Sequence, residues 1–108
     1  MNEKTVLFDL LKEGVSPVHV VKACEKRLAD AGFEKIAYEE EWNLKAGGRY
    51  YVDHHDTTLF AFSIPADEMK KGKKPAVRIA AAHTDFPCLR IKPSCDVVTN
   101  RYAQVNIE

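Results

Sequence analysis

The chain has 108 residues, 45% hydrophobic and 30% charged, with sixteen lysines and arginines against sixteen aspartates and glutamates. That mixture describes one globular domain or part of one and excludes a disordered polymer. Zero net charge offers no broad field to nucleic acid or an anionic membrane, and no apolar run approaches the ~18 residues of a membrane span.

Residues 3–13 read as a helix, with Val6, Leu7, Leu10 and Leu11 on one face and Gly14 as its stop. Ser16-Pro17 opens a second helix, serine as N-cap and proline at the first helical position. Val20, Val21, Cys24, Leu28 and Ala31 then recur at helical spacing until Gly32. His19 falls in the first turn of that helix, where protonation would oppose the helix dipole, so a surface role is expected of it.

From Phe33 the apolar period becomes two. Ile36, Tyr38 and Trp42-Asn43-Leu44 suggest a short strand, broken by Gly47-Gly48. Residues 49–52 and 57–64 are rich in aromatic and β-branched side chains, and Asp53-His54-His55-Asp56 between them reads as a hairpin turn. Adjacent histidines flanked by aspartates invite a metal, but neighbours in a tight turn are expected to point apart, and a solvated tip is the reading taken. Lys70-Lys71-Gly72-Lys73-Lys74-Pro75 is expected to be a solvated loop and not a polyanion site.

Next comes Val77-Arg-Ile-Ala-Ala-Ala-His83-Thr-Asp85-Phe86-Pro87, a strand pattern running into His-x-Asp. Residues i and i+2 of a strand share a side, so the Asp85 carboxylate can meet one nitrogen of His83 and leave the other for a metal. Alone, such a pair is more often an ordinary hydrogen bond at a sheet edge, and a zinc site needs three or four ligands. The alanines leave room above the strand, and Pro87 holds Phe86 extended and ends it. Leu89 and Ile91 alternate with Arg90 and Lys92 as a further strand that Pro93 is expected to stop, and residues 102–108 alternate as another. That last pattern halts without a turn or cap, which suggests that the chain was cut there.

Cys24, Cys88 and Cys95 are odd in number and lack CxxC spacing, which fits a reducing compartment. No basic-then-apolar leader opens the chain, and a cytoplasmic location is expected. A structural zinc knuckle built from His83, Cys88 and Cys95 would match no common ligand spacing.

In this order the strings resemble the N-terminal portion of the aspartyl aminopeptidase/aminopeptidase I family of zinc metallopeptidases. The likeness rests on residues 10–21 as the opening helix–loop–helix, Leu28-Ala-Asp-Ala-Gly-Phe33, the Gly-Gly hairpin entry from Trp42 to Val52, and Gln104-Val-Asn-Ile-Glu108. Its most specific part is Ala82-His-Thr-Asp-Phe-Pro-Cys-Leu-Arg-Ile-Lys-Pro93. The resemblance implies an α/β fold: the truncated N-terminal part of a zinc-peptidase-like three-layer catalytic domain, two helices followed by a hairpin and further strands. Residues 1–95 would belong to that catalytic domain and 96–108 would begin an inserted dimerisation domain.

By that similarity the parent enzyme removes N-terminal residues, acidic ones by preference, from peptide substrates, using two Zn²⁺ ions per active site. His83 matches the histidine that binds one zinc, and Asp85 the catalytic aspartate that orients it. The family's other ligands and its base glutamate match positions later than Glu108, so the chain alone is expected to be inactive. A homo-oligomer is expected, without nucleic-acid or membrane partners. Phe86 departs from the family's usual small polar residue, which bears on specificity. Two other readings stay open: a non-catalytic module associating through its exposed strand edge, and another His-x-Asp metallopeptidase or deacylase.

Overall fold

A computed structural model describes residues 2–66 and 77–108, so the lysine-rich string at 70–75 lies outside the described residues. Helix α1 spans Glu3–Glu13, and Asn2 caps it by accepting from the Lys4 backbone N–H at 3.1 Å. Helix α2 spans Pro17–Asp30 behind the Ser16 cap. Its end is a double backbone closure: Gly32 N–H donates to Ala29 O and Phe33 N–H to Leu28 O, both at 2.9 Å, with Gly32 at φ +78°. That left-handed position after Ala31 is where glycine is favoured. The expected apolar face of α2 is the one used, with Val21 1% exposed. On α1, by contrast, Leu7 and Leu11 remain exposed, since among the described residues this helix touches no helix or strand but α2.

Three strands follow in the order β1-β2-β3: β1 (Glu34–Lys35) runs parallel to β2 (Arg49–His54), which pairs antiparallel with β3 (Thr58–Ser63). Alternation assigns the faces. Lys35, held by Glu25 of α2 and lying 4.0 Å from Asp53, marks the Tyr51–Asp53 face as the helix side. The opposite face presents Tyr50 and Val52 beside their partners Phe62 and Phe60.

The strand expected from Ile36 to Leu44 does not form beyond Lys35. Its aromatics cover the sheet instead: Trp42 stacks on Phe62 at 6.0 Å between ring centroids, Tyr38 meets Trp42 edge-on, and the Trp42 indole N–H donates to Ala37 O. The apolar signal was real, but it records a cover and not a ladder. The β2–β3 turn is shorter than expected: β2 runs on through Asp53 and His54, leaving residues 55–57 as the turn, with His55 and Asp56 at positive φ and Asp53 Oδ1 accepting from Asp56 N–H at 3.0 Å.

A second sheet contains β4 (Ile91–Thr99) and β5 (Tyr102–Ile107). Pro93 does not stop β4. It sits where the pairing register shifts between Ile91 and Asp96, so its missing N–H removes no regular rung. The two-residue loop of Asn100 and Arg101, both at positive φ, joins the strands. The strand expected at 77–82 does not form among the described residues, whereas the one expected around Leu89–Ile91 is the start of β4, with Arg90 already exchanging backbone bonds with Glu108. Val77 and Ile79 stay 75% and 84% exposed. A strand exists through its partner's hydrogen bonds, and among the described residues 77–89 make no backbone bond to a neighbouring strand.

Candidate functional site

His83 and Asp85 stand on this extended stretch, and two bonds place them. Thr84 donates its hydroxyl to Thr57 O at 3.0 Å, tying the stretch to the start of β3. On the other side of the backbone His83 Nδ1 and Asp85 Oδ1 meet at 3.1 Å, the pairing expected from their spacing. The pair therefore forms across a bend at Thr84, without a sheet around it. The His83 side chain is 88% exposed and that of Asp85 67%.

The hydrogen bond from His83, reinforced by Asp85's own backbone N–H, holds the Asp85 carboxyl below the usual carboxylate range; Arg90 adds a smaller pull in the same direction. An ionised Asp85 accepts from Nδ1–H, which fixes the tautomer and turns the Nε2 lone pair outward. Both residues line an open cavity of about 640 Å³. Phe86, Pro87 and Cys88 form its apolar wall, and Arg90 and Glu108 close one end. Backbone bonds in both directions between Arg90 and Glu108, at 2.9 Å, bring that end together. Nothing in the sequence marked Arg90 or Glu108 for this cavity, because their meeting depends on the β4–β5 register.

The other candidate residues are accounted for. His19 is a surface residue whose Nδ1 accepts from the Ser16 hydroxyl at 2.8 Å. The rings of His54 and His55 do not point apart: their centroids lie 4.2 Å from each other, and His54 also rests on Tyr38. Cys24, Cys88 and Cys95 are free thiols. Among the described residues no group of three or more histidine, cysteine, aspartate or glutamate side chains is placed to hold a metal ion.

Helices on one face of a mixed sheet, followed by a His-x-Asp pair at an open cleft, define the start of an α/β metallopeptidase-like domain. The chain belongs to the aminopeptidase I zinc metalloprotease (M18) family, whose model matches residues 10–108. It is 38% identical over 106 residues to a probable M18 family aminopeptidase 2 of Ectopseudomonas mendocina. Over 102 residues it is 34% identical to the like-named protein of Pseudomonas paraeruginosa. Each match covers 94% of this chain and 23% of the relative, so the chain spans about a quarter of their length. A chain in the cryo-EM structure of the Ape4 and Nbr1 complex superposes with a TM-score of 0.74 at 29% identity, over 93% of this chain and 19% of that one.

Proposed function

We propose that the chain is the N-terminal segment of a dinuclear zinc aminopeptidase, with His83 as a ligand to one zinc and Asp85 as the carboxylate that orients it and supports catalysis. The observation that carries this reading is the 3.1 Å pairing of His83 Nδ1 with Asp85 Oδ1 at the edge of an open cleft. The two residues fit one ligand and its orienting partner, and the further ligands would come from sequence beyond these 108 residues. Bound zinc would lower the pKa of a water and polarise the scissile carbonyl. Asp85, accepting from Nδ1–H, would leave Nε2 as the ligating nitrogen and hold the ring in direction.

The substrates on this reading are peptides that lose an N-terminal residue, acidic by preference; Arg90 lines the cleft with Glu108 Oε1 4.0 Å from its guanidinium. Residues 1–95 would belong to the catalytic domain and 96–108 to an inserted dimerisation domain of a cytoplasmic homo-oligomer. The separateness of β4 and β5, which among the described residues touch no other helix or strand, supports a change of unit near that point. One histidine cannot hold two metals, so the 108 residues alone should hydrolyse no peptide and bind zinc weakly.

Two measurements test this. In the longer protein, His83→Ala should abolish activity and empty one metal position. Asp85→Asn should leave metal largely bound but lower turnover, because the imidazole loses its orienting charge. Unchanged turnover in both variants would discard the site. Calorimetric titration of the 108-residue chain should show only weak zinc binding; tight stoichiometric binding would overturn the claim that its ligand set is incomplete.

A further inference from the structure

We infer that Phe86 is a specificity-determining residue, an aromatic wall that selects a large apolar substrate side chain next to the scissile bond. The inference rests on the aminopeptidase reading and deepens it. In an unbroken strand Phe86 would face away from Asp85, since neighbours alternate. The backbone bends at Thr84 and again at Pro87, and Phe86 lines the same cavity as His83 and Asp85. Its ring is 44% exposed there.

Scattered exposed apolar side chains need no explanation. This one differs because it is aimed into the site and continued by the apolar surfaces of Pro87 and Cys88. Pro87 also confines the backbone of Phe86 to extended geometry, so the ring is presented on a stiff support. An apolar wall beside a few convergent polar groups is the usual build of a small-molecule site: the polar groups fix orientation and the wall sorts side chains by size and polarity. Here His83, Asp85, Arg90 and Glu108 are the polar groups and Phe86 is the largest apolar residue among the lining residues.

The selected side chain can lie on either side of the cleaved bond, and the substrates separate the two. With the zinc-loaded longer protein, kcat/KM is measured for Phe-Ala against Asp-Ala, and for Asp-Phe against Asp-Ala. Phe86→Ser should lower one of these ratios by about tenfold, the discrimination that a lost hydrophobic contact supports. The first ratio falls if the ring meets the N-terminal residue, the second if it meets the next one. Phe86→Tyr, which keeps the ring, should restore the wild-type ratio to within about twofold.

Free phenylalanine titrated calorimetrically into wild type and Phe86→Ser gives a readout independent of turnover, and should bind the variant about tenfold more weakly. Phe86→Leu, which keeps an apolar side chain in the cleft, should fall between the two if the serine variant folds poorly. Both ratios unchanged in Phe86→Ser and Phe86→Leu, with phenylalanine binding also unchanged, would overturn the inference and leave the aminopeptidase reading standing. A wild-type protein that binds zinc but cleaves none of these peptides would overturn that reading and take the inference with it.

Discussion

Single side chains join the helical layer to the sheet, and Lys35 shows how. Its ammonium is held by the Glu25 carboxylate and lies 4.0 Å from Asp53, linking α2 to β1 and β2. The hydrogen bond to Glu25 raises its pKa above the ordinary 10.5, against a smaller opposing effect of burial. A raised lysine pKa means that the folded state holds the proton more tightly, so the stabilisation is complete below about 10.5 and disappears as pH rises through the folded value. The side chain is half exposed, and solvent screening limits the contribution to roughly 0.5 kcal/mol. Urea unfolding of Lys35→Met should show that loss at pH 7 and converge with wild type in strong alkali. A difference that persists in strong alkali would mean that the ion pair was not responsible.

Elements divide by how local their causes are. Helix α2 was legible at its N-terminus because a cap is read within four residues, as Ser16 and Pro17 show, whereas α1 was legible from its apolar spacing and Gly14. The β2–β3 hairpin was legible because two β-prone strings flank a short polar turn, and β5 because its alternation is regular. The expected strand at 77–82 had the composition but has no partner among the described residues, and composition does not report partners. The same limit hid the cleft: His83 and Asp85 are two residues apart and were foreseeable, whereas Arg90 meets Glu108 through a register that no local pattern encodes.

The loop of that second hairpin carries its own expectation. Arg101 sits at φ +68°, a conformation that costs an L-residue on the order of 1–2 kcal/mol and that glycine adopts freely. Arg101→Gly would create the Asn-Gly pair favoured in two-residue loops, and should slow hydrogen exchange of the β4 and β5 amides by about fivefold. Unchanged exchange would show that the arginine is not strained there.

At the scale of the whole molecule the chain is open. Its radius of gyration is 19.9 Å, where a compact domain of this length would have about 13 Å. Its accessible surface is 9542 Å², against roughly 6,100 Å² for a folded monomer of equal mass. Five hydrophobic residues form the buried core of the described residues: Val21, Ala23, Tyr50, Tyr51 and Val52. Meanwhile Phe60, Tyr102 and Val98 are more than half exposed. So small a core predicts a broad thermal transition with low heat uptake for the 108 residues in isolation, strong binding of a hydrophobic dye, and sedimentation that depends on concentration. A sharp two-state melt of a monomer in scanning calorimetry would contradict this. No helix among the described residues is long and apolar enough to cross a membrane.

The pairing of His83 with Asp85 also has a consequence in time. Contacts between residues so close in sequence close within about 100 ns, whereas sheets assembled from distant strands take milliseconds or longer. The imidazole therefore finds its carboxylate almost as soon as both have been synthesised, before β4 and β5 exist to flank them. Later folding steps meet a pair that closes and reopens quickly, and its surroundings decide how much of the time it stays closed.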